Sequence, residues 1–450
     1  MGKLFGTDGI RARAGEFPLD RKAVRVIGAS LARRFTEKLG RAPKFVTGRD
    51  TRESGPWIEK ALHEGAVAGG VKIDSAGVVT TPGVAFITGH FGFDAGIVIS
   101  ASHNPFEDNG IKLFLHDGRK LDDATEKLVE EDIFAEKDEA GDSEIKPDIS
   151  RADEFHAAYL KHLAHHFPNL RLDSLRIVVD CANGASCAYA GRLLSGFGAD
   201  VETINNNPNG RNINKNCGSL HLESLQKAVV ASQADLGIAY DGDADRALFV
   251  DEKGNVVDGD ATLWILGRRM KDEDHLSSAK VIATVMSNIG LEIALRSRGI
   301  ELVRTQVGDK YVLEELLKTG AAIGGEQSGH IIFPHESLVG DGMMTTLFLL
   351  DALTAKKRKL SEAVEGFVRY PQVLVNVRVR EKRPFADVRA IAGEAKRIEE
   401  ELAGTGRLLL RYSGTENLAR VMIEGSDQTQ IEDQAKGLAR VIESELGTSN

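Results

Sequence analysis

One stretch of the chain indicates both its fold class and its chemistry: Leu236-Gly237-Ile238-Ala239-Tyr240-Asp241-Gly242-Asp243-Ala244-Asp245-Arg246-Ala247-Leu248-Phe249-Val250. The apolar runs on either side of the acidic cluster are short, so both are predicted to be strands. Asp241, Asp243 and Asp245 then lie on the connecting loop, where catalytic groups are commonly displayed. Carboxylates at this spacing repel one another and are costly to bury, which predicts a hard divalent cation with oxygen ligands.

The acidic loop has two alternative interpretations. A solvated acidic turn stays open on the sequence alone. The positions of Asp241, Asp243, Asp245 and Glu252 also match those of an EF-hand calcium loop. That loop requires glycine where Arg246 stands, and it is flanked by helices, whereas the flanks here resemble strands. The EF-hand is therefore rejected, and Mg²⁺ is the predicted ion.

The pattern of strand, polar loop, amphipathic helix and strand recurs along the chain and predicts α/β layers with largely parallel strands. The segments of the second and third units are strands at 175–180, 200–204, 281–285 and 301–304, with helices at 185–197 and 289–298. The last 80 or so residues differ and predict a small α+β domain. Its segments are strands at 372–379, 407–412 and 418–424, with helices at 384–402 and 427–446.

A chain of 450 residues is too long for one hydrophobic core and should form several domains. Residues 135–150 are acidic and poor in apolar side chains, and a second break is expected near residues 251–254. The fold class expected is therefore three similar mixed α/β domains followed by a small C-terminal α+β domain. The predicted bounds are 1–148, 149–250, 251–367 and 368–450.

Composition excludes several classes of partner. The net charge is −10 and no basic stripe is present, which argues against nucleic acid and anionic membranes. No apolar run reaches the roughly 18 residues of a membrane span, and the N-terminus lacks the apolar core of a signal peptide. Three cysteines are too few and too irregularly spaced for a disulfide framework or a zinc site. These features predict a cytoplasmic protein.

A serine-containing turn, Ser100-Ala101-Ser102-His103-Asn104-Pro105, directly follows an apolar strand at 97–99. A serine at such a turn can act as a nucleophile or phosphate carrier, although an ordinary serine turn stopped by Asn-Pro is the alternative. The sequence is not a G-x-S-x-G elbow, which disfavours an α/β-hydrolase. Lys112 follows downstream and is a candidate acid or base, or else a surface lysine.

Two further loops carry polar side chains suited to a phosphosugar. The glycine-rich run from Gly324 to His330 can bind hydroxyls and lacks the Gly-Lys-Ser/Thr of a P-loop, although a plain glycine turn stays open. Residues 411–416 with Arg420 offer two guanidiniums and two hydroxyls to a phosphate, or form a solvated hairpin. Together with the serine and the metal site, these loops predict phosphoryl transfer on a polyol phosphate.

These motifs, in this order and at this spacing, resemble the α-D-phosphohexomutases from end to end. The matching segments are Phe5–Arg11, Ser100–Pro105, Asp241–Arg246, Gly325–His330 and Arg411–Arg420. Asn212–Ser219 and Gln327 resemble the amino-sugar branch of that family, because the mannose/glucose branch typically has Met in place of Gln327.

The resemblance implies an isomerase with its domains around a central cleft. It would interconvert the 6-phosphate and 1-phosphate of an amino sugar through a 1,6-bisphosphate, and a hexose 1,6-bisphosphate would serve as activator or intermediate. Ser102 would be carried as phosphoserine, and its phosphate would hold one Mg²⁺ together with Asp241, Asp243 and Asp245. The implied partner is a phosphosugar, and a homodimer is left open.

The resemblance also implies roles for other side chains. Lys112 and His330 would be the candidates for proton transfer, and Arg11 would support the phosphoserine. The substrate-binding residues would be Arg246, Glu326, Ser328, Arg411, Ser413, Gly414, Thr415 and Arg420.

Three positions depart from the family pattern. Ala12 replaces a glycine and is expected to stiffen a turn, Asn417 replaces a proline and is expected to loosen the phosphate loop, and Lys310 replaces an arginine that could make a bidentate anion contact. None of these changes removes a catalytic group. The rival functions are a phosphoglucomutase/phosphomannomutase, a metal-dependent sugar-phosphate phosphatase and a non-catalytic sugar-phosphate sensor.

Overall fold

The computed structural model describes residues 3–6, 8–136, 145–413 and 416–448. They form two compact units. The first runs to Thr284 and resumes over Val303–Glu365, and the second comprises Val285–Leu302 and the chain from Gly366 onward.

The first α/β region contains six strands and four helices. The strands are β1 (Phe5–Gly6), β2 (Gly9–Arg13), β3 (Lys44–Arg49), β4 (Lys72–Val78), β5 (Ala95–Ile99) and β6 (Asp108–Leu115). The helices are α1 (Arg21–Leu39), α2 (Gly55–Ala68), α3 (Thr81–His90) and α4 (Asp123–Phe134). The sheet order is β1-β2-β6-β5-β3-β4, with β3 parallel to β4 and β5 while β6 is antiparallel to β2 and β5.

Glycines let α1 and α2 pack with their backbones nearly touching. A Cβ on Gly28 would lie 2.2 Å from the carbonyl oxygen of Leu62, and one on Gly65 would lie 2.0 Å from that of Arg25. Any larger residue would force the helices apart and open the core beneath them. That core contains Ile27, among other fully buried side chains of the two helices and the sheet.

The second α/β region holds the acidic loop between two strands, as predicted, and these two strands are antiparallel. Its strands are β7 (Arg176–Asp180), β8 (Asp200–Ile204), β9 (Leu236–Tyr240), β10 (Ala247–Asp251) and β11 (Val256–Val257), in the order β11-β10-β9-β7-β8. Its helices are α5 (Ala152–His165), α6 (Ala190–Gly196) and α7 (Glu223–Ser232).

One sequence prediction fails locally in this region. The helix predicted at 185–197 is split, because Ala185–Ala188 form a 3₁₀ turn and α6 begins only at Ala190. The Ser186 hydroxyl donates to the carbonyl of Cys181 at 3.0 Å, a side-chain bond that competes with regular helix. Residues 252–254 form the hairpin turn between β10 and β11, and the break expected near residues 251–254 stays a prediction.

The third α/β region follows directly along the chain. Its strands are β12 (Lys280–Thr284), β13 (Glu301–Thr305), β14 (Gly324–Gly325) and β15 (Ile331–Ile332), in the order β13-β12-β14-β15. Its helices are α8 (Gly259–Asp272), α9 (Ile289–Ser297), α10 (Asp309–Thr319), α11 (Gly342–Lys356) and α12 (Leu360–Ala363), of which α9 belongs to the second compact unit.

The C-terminal region is the predicted small α+β domain. Three antiparallel strands, β16 (Gln372–Arg378), β17 (Gly406–Tyr412) and β18 (Leu418–Gly425), lie in the order β16-β18-β17. Helices α13 (Arg389–Leu402) and α14 (Gln428–Leu446) cover them with apolar side chains. The predicted helix at 384–402 begins five residues late, because a 3₁₀ turn at Phe385–Asp387 precedes α13.

The predicted fold class is confirmed: three mixed α/β regions precede a small α+β region. Within the described ranges, no helix has both the length and the apolar character that crossing a membrane requires.

Candidate active site

Strand β5 delivers Ser102 to the end of the first sheet. Ser102 has φ of 53°, in the left-handed region that costs a non-glycine residue energy and often marks a functional turn. Its backbone N–H donates to Ser100 Oγ at 2.9 Å, and its own Oγ donates to Asp241 Oδ2 at 2.6 Å. The side chain is fully buried. The structure therefore brings the predicted phosphate carrier directly against the predicted metal loop.

The three aspartates converge as a cation site would require. Each of Asp241, Asp243 and Asp245 is buried, and each offers an oxygen within 4.8 Å of the others. Burial and the charges of Asp245 and Asp243 raise the pKa of Asp241 well above its usual range. Among the described residues, no donor reaches Oδ1 of Asp243 or Oδ1 of Asp245, although both atoms are buried. Clustered, unpaired carboxylate oxygens are the donor set that a hard divalent cation takes.

Lys112 supplies positive charge to this cluster. Its Nζ lies 2.8 Å from Asp243, 3.0 Å from Asp8 and 3.3 Å from Asp245, and its side chain is only 2% exposed. Burial alone would lower the pKa of Lys112, but the three carboxylates outweigh it and raise that pKa well above the usual value. The lysine that the sequence left ambiguous is therefore buried and protonated.

Asp8 joins the first motif to the same network. Arg11 pairs with Asp8 at 2.6 Å, and Lys120 bridges Asp8 at 2.7 Å and Asp309 at 2.6 Å. Burial opposes ionisation of Asp8, yet Lys112, Lys120 and Arg11 together lower its pKa far below the usual range. Neither Asp8 nor Lys120 was predicted to be a site residue. The only signal for either was the position of Asp8 within the first motif.

The positively charged side chains of Arg246 and Arg11 influence the surroundings of Ser102. His103 Nδ1 lies 3.2 Å from Ser102 Oγ. Burial and the charges of Arg246 and Arg11 lower the pKa of His103 to about 4, so the ring is neutral at pH 7. The Nε of Arg246 is buried and has no hydrogen-bond acceptor among the described residues. An anion next to Ser102 would be stabilised by these two guanidiniums.

The glycine-rich loop between β14 and β15 docks onto the strand that follows the acidic cluster. The carbonyl of Gly329 accepts from Ala247 N at 3.2 Å, and a Cβ on Gly329, whose φ is 89°, would lie 2.3 Å from the Ala247 carbonyl oxygen. Glu326 Oε1 accepts from Gly308 N at 3.2 Å, while the buried Ser328 hydroxyl lacks a partner within the described part of the chain. His330 Nδ1 lies 3.7 Å from Asp245.

A polar cavity of about 370 Å³ adjoins this loop. Its charged and titratable lining consists of Asp8, Arg11, Asp245, Arg246, Asp309, Glu326 and His330. Two arginines beside several carboxylates can bind a molecule that carries both phosphate and hydroxyl groups. The structure thus brings together the sequence-predicted residues Arg11, Arg246, Glu326 and His330.

The predicted phosphate loop lies in the second unit. Arg411 on β17 is paired directly opposite Arg420 on β18. Burial and the charge of Arg420 lower the pKa of Arg411, as expected for two cations held close together. Ser413 Oγ lies 3.5 Å from Arg420 Nη2. Gly414 and Thr415, the other two predicted contacts, lie outside the described residues.

The expectation for one of the three departures from the family pattern is wrong, and those for the other two stay predictions. Ala12 lies within β2 opposite Asn109, so the prediction of a stiffened turn there is wrong. Lys310 makes an exposed ion pair with Asp123 at 2.7 Å. Asn417 uses its carbonyl to accept from Val379 N at 3.0 Å, and its effect on loop rigidity stays a prediction.

Known protein families and relatives match almost the whole chain. Four phosphoglucomutase/phosphomannomutase models match: α/β/α domain I at residues 2–140, domain II at 157–254, domain III at 258–370 and the C-terminal domain at 374–441. The phosphoglucosamine mutase of Solibacter usitatus (strain Ellin6076) is 49% identical over 444 residues, covering 99% of each chain.

Solved structures share the fold. A phosphoglucomutase/phosphomannomutase family protein from Burkholderia thailandensis is 24% identical with a TM-score of 0.80, covering 98% of this chain and 97% of its own. The N-acetylphosphoglucosamine mutase of Aspergillus fumigatus, solved with GlcNAc-6P and magnesium, is 20% identical with a TM-score of 0.67, covering 98% and 95%.

Proposed function

Because this chain belongs to the phosphoglucomutase/phosphomannomutase family, we propose that it is the isomerase that interconverts glucosamine 6-phosphate and glucosamine 1-phosphate. The observation that carries the proposal is the contact of Ser102 Oγ with Asp241, 2.6 Å away within a buried aspartate trio. The amino-sugar assignment is supported by full-length relatives named phosphoglucosamine mutase, one of them 49% identical.

Ser102 carries the phosphoryl group in this proposal. The free hydroxyl oxygen of the sugar phosphate attacks phosphorus, the bond from phosphorus to Ser102 Oγ breaks, and the hydroxyl proton passes to a basic side chain. The resulting 1,6-bisphosphate then reorients within the site, so that its other phosphate faces Ser102. Ser102 Oγ then attacks the other phosphate, whose bond to the sugar oxygen breaks as that oxygen takes up a proton. A hexose 1,6-bisphosphate added from solution would load Ser102 in the same way.

The side chains around Ser102 have distinct tasks. Asp241, Asp243 and Asp245, with the Ser102 phosphate, would hold Mg²⁺, which supplies charge neutralisation to the transferring group when bound. Lys112, whose Nζ lies 2.8 Å from Asp243, is the first candidate for proton transfer. His330, whose Nδ1 lies 3.7 Å from Asp245, is the second proton-transfer candidate. Arg11 and Arg246 stabilise the phosphoserine and the incoming phosphate.

Substrate recognition is divided between two loops. Glu326 and the Ser328 hydroxyl, which has no partner among the described residues, bind sugar hydroxyls. The non-reacting phosphate is held by Arg411, Ser413, Gly414, Thr415 and Arg420. The domain bounds proposed for the chain are 1–148, 149–250, 251–367 and 368–450. We further place the enzyme in the cytoplasm, acting on phosphosugars and not on nucleic acid or membranes, and leave a homodimer open.

The substrate assignment is tested by measuring kcat/KM for glucosamine 1-phosphate, glucose 1-phosphate and mannose 1-phosphate. Each assay contains Mg²⁺ and a hexose 1,6-bisphosphate. We expect a preference of about tenfold or more for the amino sugar, which corresponds to roughly 1.4 kcal/mol at the transition state. Equal or greater activity on glucose 1-phosphate or mannose 1-phosphate would support the same reaction but show that the substrate assignment is wrong. Steady release of inorganic phosphate would instead identify a phosphatase.

A further inference from the structure

The backbone of Ser102 is held partly by its own turn and partly by groups outside it. A left-handed conformation costs an L-residue about 1–2 kcal/mol, and within the turn the Ser102 N–H donates to Ser100 Oγ at 2.9 Å. The conformation persists only where the surroundings over-determine it. The groups that fix the carbonyl and N–H groups of this turn therefore decide where Ser102 Oγ points.

One arginine binds three carbonyl groups of this turn. Arg52 Nη2 donates to the carbonyls of Ser102 and Asn104, each at 2.9 Å, and Nη1 donates to that of Pro105. The Arg52 side chain is fully buried. A planar guanidinium can serve three carbonyls in fixed directions, which a lysine ammonium cannot reproduce.

Asp50 fixes that arginine and reaches the other side of the turn. Arg52 Nε donates to Asp50 Oδ2 at 2.9 Å, and the same oxygen accepts from Ser100 Oγ at 2.6 Å. Ser100 Oγ in turn accepts from Ser102 N. The Asp50–Arg52 pair thus holds Ser102 through its carbonyl directly and through its N–H by way of Ser100.

Asn214 adds a second, weaker clamp from another part of the chain. Its Nδ2 donates to the Ser102 carbonyl at 2.9 Å and to the Asn104 carbonyl at 3.0 Å. It lies beside the acidic loop, because a Cβ on Gly242 would approach Asn214 Nδ2 to 3.0 Å. The same amide therefore contacts both the serine turn and the loop that carries the aspartates.

We propose that Arg52, oriented by Asp50, is a positioning residue that aims Ser102 Oγ at the aspartate trio during phosphoryl transfer. This inference rests on the proposed function. Arg52 touches no reacting atom, so it acts only through the geometry of Ser102. A displacement of the reacting oxygen by about 1 Å can cost on the order of 10² in rate. Loss of Arg52 should therefore lower kcat and leave substrate affinity largely unchanged.

The test compares Arg52→Lys with wild type and with the matched control Arg49→Lys. Arg49 precedes Arg52 by three residues and pairs with Glu59 at 3.2 Å, but makes no described contact with the serine turn. We expect Arg52→Lys to lower kcat by about 10²-fold with KM within about twofold, and Arg49→Lys to change neither by more than about twofold. The rate at which a hexose bisphosphate phosphorylates Ser102, followed by mass spectrometry, should fall in parallel with kcat.

Chemical rescue separates positioning from general stability. Arg52→Ala leaves a cavity next to a buried carboxylate, and added guanidinium should restore about tenfold or more of the lost kcat. If Arg52→Ala does not fold, the kinetics of Arg52→Lys alone test the inference. A thermal midpoint measured for Arg52→Lys then shows that this variant is folded. A folded Arg52→Lys variant with wild-type kcat, or a loss confined to KM, would overturn the inference. Wild type that never takes phosphate onto Ser102 would instead overturn the proposed function, and this inference with it.

Discussion

Ser102→Ala is expected to lower kcat for glucosamine 1-phosphate by at least about 10⁴-fold, since it removes the atom that carries the phosphoryl group. The fold should persist, because the change deletes one buried oxygen and one hydrogen bond to Asp241. Initial rates and the far-ultraviolet circular dichroism spectrum measure the two effects. Mg²⁺ should still raise the thermal midpoint of this variant, because all three aspartates remain.

The control for this variant is Ser195→Ala, which removes an exposed serine hydroxyl from helix α6. It should retain wild-type kcat within about twofold, as expected for a surface change away from special features. Activity in Ser102→Ala close to that of wild type would refute the phosphoserine mechanism. A loss of helical signal in that variant would show that the hydroxyl has a structural role instead.

Asp241→Asn is expected to change stability and activity in opposite directions. Three buried carboxylates repel one another without a cation, and burial with the neighbouring charges already raises the pKa of Asp241. Removing one charge should raise the thermal midpoint measured in EDTA by a few degrees, which corresponds to about 1 kcal/mol. Activity should fall by about 10²-fold or more, because an amide is a weaker ligand for a hard cation.

Calorimetry with and without Mg²⁺ separates the two effects. The rise in midpoint on adding Mg²⁺ should be large for wild type and small for Asp241→Asn, since ligand stabilisation follows affinity. Asp200→Asn is the matched control, because Asp200 is an exposed strand residue paired with Arg176 in the same sheet. It should alter neither the EDTA midpoint nor the Mg²⁺ response. An Asp241→Asn variant that is less stable in EDTA would contradict the account of an electrostatically strained trio.

The sequence was most informative where chemistry is concentrated within a few residues. Asp241, Asp243 and Asp245 stand between two apolar runs, so local composition was enough to predict both the strands and the loop. Ser102 was found in the same way, directly after a fully buried strand. Recurrent strand–helix alternation likewise predicted the α/β regions, but it predicted largely parallel strands, whereas each of the three sheets also contains antiparallel pairs.

Contacts between distant segments were not predictable. Lys112 resembled a surface lysine because its partners, Asp8, Asp243 and Asp245, come from other parts of the chain. Arg52 had one usable signal: it follows β3, the parallel neighbour of β5, and the carboxyl ends of such strands share an edge. Ala12 lies in a strand because it pairs with Asn109, and no local feature of the sequence indicates this pairing.

Mapping the phosphate on the protein during turnover tests the central claim most directly. Wild-type protein would be mixed with Mg²⁺ and a hexose 1,6-bisphosphate, then quenched and analysed by peptide mass spectrometry before and after a chase with glucosamine 1-phosphate. The account predicts one phosphate on the peptide that contains Ser102, and its exchange with the sugar as fast as the steady-state turnover. A protein that turns over glucosamine phosphate while Ser102 stays unmodified, or that exchanges its phosphate far more slowly than kcat, would contradict it.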